Sequence, residues 1–126
     1  LGYATIPKSV AIKVDFHNSA GEGNNSTGLY IDGATPTVPS IDVTSSGLRF
    51  ANGDHIQMQV SYNGTTLSWT ILDLDIFLPH HASATESVAI NLPQTLGSNT
   101  AYVGFTAGTS NNSAIQNILN WTFTNP

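Results

Sequence analysis

The stretch Ile56-Gln57-Met58-Gln59-Val60-Ser61-Tyr62-Asn63-Gly64-Thr65-Thr66-Leu67-Ser68-Trp69-Thr70-Ile71 decides the fold. Ile56, Met58, Val60 and Tyr62 alternate with His55, Gln57, Gln59 and Ser61, and Leu67, Trp69 and Ile71 alternate with Thr66, Ser68 and Thr70. A period of two places alternate side chains on opposite faces, as in a half-buried strand. Asn63-Gly64 between the runs is a type I′ hairpin signal, because both residue types tolerate positive φ. The stretch predicts an antiparallel pair, Gln57–Tyr62 with Thr66–Ile71.

The same alternation extends outward. In Ser9–Phe16, Val10, Ile12, Val14 and Phe16 oppose Ala11, Lys13 and Asp15. Further strands are predicted at Gly28–Asp32, Ser87–Leu92, Ala101–Ala107 and Ile115–Thr124. Gly-, Asn-, Ser- and Pro-rich segments at Asn18–Asn25, Gly33–Pro39, Gly97–Asn99 and Gly108–Ser113 punctuate them. No segment carries a helical stripe, and Leu72–Leu78 reads as a strand end, a loop or a short turn. The pattern predicts one all-β domain over residues 1–126, an antiparallel sandwich.

Composition excludes several classes. A chain of 126 residues has room for one ordinary domain. It contains no cysteine, which removes disulfides, thiolate metal sites and cysteine nucleophiles. Its basic residues are Lys8, Lys13 and Arg49, too few to track a phosphate backbone, so no nucleic-acid partner is expected. No apolar run reaches the length that spans a bilayer, so no membrane insertion is expected. Charged residues are only 9%, and Ser, Thr, Asn and Gly supply the polarity instead, a texture of secreted or cell-surface β proteins. The chain opens on Leu1 rather than Met, as a mature form, an excised domain or a fragment would.

The densest polar cluster is Asp15-Phe16-His17-Asn18 followed by Gly21-Glu22-Gly23-Asn24-Asn25. A strand-end Asp feeding such a loop offers the oxygen ligands that Ca²⁺ takes, while a plain polar turn explains the same residues and is the commoner reading on spacing alone. His80-His81 offers imidazoles, but neighbours on a strand face opposite ways, so a solvated loop is favoured. Asp73 and Asp75 share a face of an extended segment and read as solvated edge charges. Trp69 and Trp121 lie on apolar strand faces and are expected in the core. No nucleophile elbow, zincin helix, phosphate loop or facing carboxylate pair of a glycosidase is present, so no catalysis is expected.

Several segments resemble legume-type (L-type) lectins. Ile6-Pro7-Lys8-Ser9-Val10-Ala11-Ile12-Lys13-Val14-Asp15 is similar to the family's I-x-x-S-V-A-V-E-F-D strand, and Ser26-Thr27-Gly28-Leu29-Tyr30-Ile31 to the H-I-G-I-x-V strand that follows it. Val60-Ser61-Tyr62-Asn63 with Leu67-Ser68-Trp69 is similar to the I-x-Y-N…L-x-V hairpin. Ala101–Thr109 resembles V-R-V-G-F-S-A-A-T-G, and Ile118-Leu119-Asn120-Trp121-Thr122-Phe123 resembles I-L-S-W-S-F. The matches keep the family's order, and the Gly/Asn-rich texture is closer to bacterial members than to plant ones.

The resemblance implies a concanavalin-like jelly-roll sandwich that binds carbohydrate beside paired Ca²⁺ and transition-metal sites. It implies metal ligation by Asp15, by the His17 carbonyl, by Asn18 and by Glu22, with Asn24 competing for the last role. It implies sugar contacts from Asn18, Phe16 and His17, and from a specificity loop containing Gly108, Thr109, Ser110 and Asn111. Two departures follow. Lys13 stands where the family has its transition-metal Glu, and Ser26 where it has the metal-binding His, so that ion is expected to be lost. An ammonium on the face of Asp15 repels a cation and neutralises the carboxylate, which leaves Ca²⁺ an open question. The chain also matches only the later part of the family domain. A partial sandwich is expected to be completed by self-association, as a homo-oligomer, or by pairing with a missing half-domain. The expected function is non-catalytic carbohydrate binding outside the cell or at its surface. The alternative is a structural or adhesive β domain of a larger exported protein with a degenerate sugar site.

Overall fold

The computed structural model describes residues 2–75, 81–109 and 113–125. Six strands form two antiparallel sheets. β1 (Val10–Asp15), β2 (Ser26–Ile31) and β3 (Ile41–Asp42) make one, in that order. β4 (Ile56–Tyr62), β5 (Thr66–Asp73) and β6 (Ser83–Ala89) make the other. A single turn of 3₁₀ helix, Thr44–Ser46, and one short helix, α1 (Leu92–Leu96), complete the regular structure of the described residues. The fold is all-β and antiparallel, consistent with a concanavalin-like sandwich.

The β4–β5 pair forms as predicted, with Val60 opposite Trp69 and Tyr62 opposite Leu67. Its turn is not type I′. Only Gly64 takes positive φ (+96°), whereas type I′ needs it at both central residues. Asn63 instead flanks the turn, and its Oδ1 accepts from the Thr65 and Thr66 N–H groups at 3.0 and 2.8 Å. The Asx side chain thus supplies the acceptor that a main-chain carbonyl supplies in a plain hairpin.

β5 is the central strand of its sheet, and its burial follows the period of two. Leu67, Trp69, Ile71 and Asp73 are buried, while the residues between them are half-buried. Trp69 and Ile71 join Val43, Leu48 and Ala82 in the core, against Ile12, Val14 and Leu29 of the other sheet. A polar contact crosses this interface. The Trp69 indole N–H donates to the Thr27 Oγ1 at 2.9 Å, and the Thr27 hydroxyl donates to the Lys13 carbonyl at 2.8 Å. A buried indole N–H needs such an acceptor, so residue 27 fixes how the sheets stack.

Several expectations are corrected. Met58 and Val60 lie opposite Ile71 and Trp69, on the core face, but are 37% and 47% exposed. The strand expected at Ser87–Leu92 is shifted, and a helix appears where none was predicted. Asn91 caps it by accepting from Gln94 N–H at 3.0 Å, Pro93 sits in its first turn, and Gly97 ends it at φ +68°. Asp73 is fully buried rather than solvated, with its Oδ1 accepting from the Asp75 N–H, while Asp75 is exposed and holds His55 at 2.9 Å. Finally, Ala101–Ala107 and the Ile115–Thr124 stretch join no ladder among the described residues. Trp121, expected in the core, is 52% exposed and touches Phe105 edge-to-face at 5.6 Å. A period of two becomes a strand only where a sheet edge accepts its backbone groups, and these segments meet none.

His81 Nδ1 lies 3.0 Å from the Asp73 carbonyl, a loop contact, and its neighbour His80 lies outside the described residues.

Thr27→Val keeps the shape of residue 27 and removes the Trp69 acceptor. It is expected to lower unfolding free energy by about 1–3 kcal/mol, the cost of an unpaired buried donor, as read by urea denaturation.

Candidate carbohydrate-binding cleft

The polar face of β1 and β2 lies opposite the core. Lys13 pairs with Gly28 and Asp15 with Ser26, so all four share that face with Tyr30. Lys13 is 1% exposed. Its Nζ donates to the Pro36 carbonyl at 3.2 Å, lies 3.8 Å from Asp15 Oδ2, and sits 5.5 Å from the centre of the Tyr30 ring. The Tyr30 hydroxyl donates to the Thr37 and Pro39 carbonyls at 2.8 and 3.0 Å, which folds segment 35–39 over the sheet. Gly28 leaves room for this ring, since a Cβ there would meet it at 3.1 Å.

The loop after β1 closes on itself. Asp15 Oδ1 accepts from the His17 N–H at 3.0 Å, and Asn18 Oδ1 accepts from the Gly21 N–H at 2.8 Å. Glu22 is buried, and its carboxylate accepts from the Ala20 N–H. Burial by itself would raise the Glu22 pKa. The backbone N–H groups of Glu22, Ala20 and Ser19, together with the Lys13 charge, outweigh it and hold the carboxyl below its usual range. The Tyr3 hydroxyl, packed against Tyr30 with ring centres 6.1 Å apart, is pushed above the ordinary phenol range, first by burial and then by Tyr30 and Asp15.

Between these elements lies a cleft of about 170 Å³. Val14, Asp15, Phe16, His17, Ser19 and Glu22 form one wall, Thr35, Pro36 and Thr37 a second, and Gly108, Thr109 and Gln116 a third. The first and third walls join residues more than ninety positions apart, Asp15 and Thr109 among them. Of the expected site residues, Asp15, Phe16, His17, Glu22, Gly108 and Thr109 come together here. Asn18 does not line the cleft, and its amide oxygen is committed to the turn. Asn24 lines a neighbouring depression with Phe16, Arg49 and Asn52, whereas Glu22 lines the cleft. Ser110 and Asn111 lie outside the described residues. Sequence reading missed Ser19, Thr35, Pro36, Thr37 and Gln116. Its one available signal was the Pro-Thr-rich Gly33–Pro39 segment, read only as punctuation.

The chain belongs to the legume lectin domain family, whose sequence profile matches residues 5–126. It is 33% identical over 79 residues to an Arabidopsis thaliana L-type lectin-domain containing receptor kinase, I.11, and 34% identical over 76 residues to another, I.7. These matches cover 63% and 60% of this chain, and 11% of each relative. The chain thus spans about a tenth of the length of the curated relatives it matches. Both are plant proteins, so the bacterial texture read from the loops finds no support in them.

Family members generally bind Ca²⁺ and a transition metal, and these residues do not fit that pair. Lys13 brings an ammonium to the carboxylate face, and the Ser26 hydroxyl, fully buried without a hydrogen-bond partner, is a poor substitute for an imidazole. Glu22 and Asn18 have oxygens taken up by backbone N–H groups. Among the described residues no group of three His, Asp or Glu side chains is placed to hold a metal ion.

Glu22→Gln is expected to destabilise the domain at pH 7. A depressed folded pKa contributes stability above the unfolded value, here the ordinary 4.5, and loses it as pH falls through the folded one. The melting-temperature gap between the two proteins should therefore close below pH 4.5, as followed by circular dichroism.

Proposed function

We propose that this domain binds carbohydrate without catalysis, and that the cleft around Phe16, His17 and Thr109 is the binding site. Family membership supports the class. The observation that supports the place is the convergence of Asp15, Phe16 and His17 with Gly108 and Thr109, the two segments that the family resemblance ties to sugar. The chemistry suits a sugar. Phe16 offers a π face to ring C–H groups. Ser19, Thr35, Thr37, Thr109 and Gln116 offer neutral donors and acceptors, and Asp15 offers a carboxylate oxygen to a sugar hydroxyl. Asn18 acts by closing the turn that carries Ser19 and Glu22. The protein works outside the cell or at its surface. No helix among the described residues is long and apolar enough to cross a membrane.

A glycan array identifies the sugar. Phe16→Ala and Gln116→Ala should then each weaken binding about tenfold or more, or about 1.4 kcal/mol, by calorimetry. Unchanged affinity in both variants places the sugar elsewhere.

The apolar flank favours a second reading, a structural or adhesive β domain. Val103, Phe105, Trp121 and Phe123 are all more than half exposed, and Met58 and Val60 are 37% and 47% exposed. Such a surface suits a second copy of the chain or the remainder of a full lectin sandwich. Light scattering is expected to show self-association at micromolar concentration, and a clean monomer would count against it.

A further inference from the structure

We propose that the Lys13 ammonium is the resident cation of this lectin domain, a covalently tethered replacement for the divalent ion that orders the loops of the sugar site. The proposal deepens the reading of the cleft as a binding site, and it concerns how the cleft is held.

Three observations carry it. First, Lys13 is buried to 1% exposure, a cost for an ammonium that only compensating partners offset. Those partners are Asp15 Oδ2, the Pro36 carbonyl and the Tyr30 ring, at 3.8, 3.2 and 5.5 Å. Second, those groups belong to both fixed walls of the cleft. Asp15 opens the first wall, and Pro36 is the middle of the second. Against the effect of burial, Glu22, which closes the first wall, is held below its usual range first by backbone N–H groups, and the Lys13 charge adds in the same direction. One side chain therefore ties the two walls together, as a bridging ion would. Third, both carboxylates already serve partners within the chain. Asp15 Oδ1 accepts from the His17 N–H, and Glu22 accepts from the Ala20 N–H. An incoming Ca²⁺ or Mn²⁺ would compete with these donors and lie beside a fixed positive charge. Lys13 is thus a positioning residue, and the cleft is ordered without a divalent ion.

The intact chain tests this through thermal melting and amide hydrogen exchange in EDTA, in millimolar CaCl2 and in millimolar MnCl2. The expected result is one melting temperature and one exchange pattern in all three. Stabilisation that saturates with either ion would overturn the proposal. Lys13→Met should speed exchange tenfold or more at Ser19–Glu22 and at Thr35 and Thr37, with the β4–β5 amides little changed. Wild-type exchange at both walls in that variant would also overturn it. If Lys13→Met fails to fold, the wild-type titration decides alone. Neither measurement uses a sugar. A chain that binds no glycan but shows this exchange pattern refutes the proposed function and leaves the role of Lys13 standing. A chain whose glycan binding collapses in EDTA does the reverse.

Discussion

One hydrogen-bonded relay fastens this domain: Trp69 indole to Thr27 hydroxyl to Lys13 carbonyl. It begins in the core of one sheet, crosses the interface and ends on the backbone of β1 in the other. Non-directional burial would let the two sheets slide, whereas a buried donor tolerates only one acceptor position. The relay therefore sets the register between the sheets. It also holds the β1 backbone at the residue whose side chain points away from the core. The fold and the site meet at Lys13, whose carbonyl belongs to the first and whose ammonium belongs to the second.

From that point the polar face assembles by charge balance. The ammonium draws Asp15 and the Pro36 carbonyl towards it, and Tyr30 covers it while anchoring segment 35–39. Asp15 and Glu22 carry further backbone N–H donors on their oxygens. With Lys13 at this position, the loop is organised around an ammonium. A tethered monovalent charge costs no ion-binding equilibrium, but it is weaker than a divalent ion and reaches fewer ligands. Accordingly, much of the loop closure falls to backbone donors.

The lining of the candidate cleft was legible where the residue type itself carries the chemistry. Asp15, Phe16, His17 and Glu22 stood out as a polar cluster, and Gly108 and Thr109 followed from the family resemblance. All six line the cleft. Thr35, Pro36, Thr37 and Gln116 were not legible, because a threonine or proline in a turn looks the same whether or not it faces a cleft. The placement of Asn18 was likewise hidden, since a capping amide and a ligand amide are the same group, and only the direction of its oxygen separates them.

By itself the sequence determined the local rules: strands of period two, the β4–β5 hairpin, Trp69 in the core, and an ammonium on the face of Asp15. These follow from properties of neighbouring residues, and short-range geometry enforces them. Only the tertiary structure decided which strand-like segments found a sheet edge. Ala101–Ala107 alternates much as Ile56–Tyr62 does, yet only the latter meets a partner for its backbone. It also decided that Met58 and Val60 stay half open, that Asp73 is buried, and that Trp121 is exposed. Burial depends on what lies across the interface, and no periodicity within one segment contains that information.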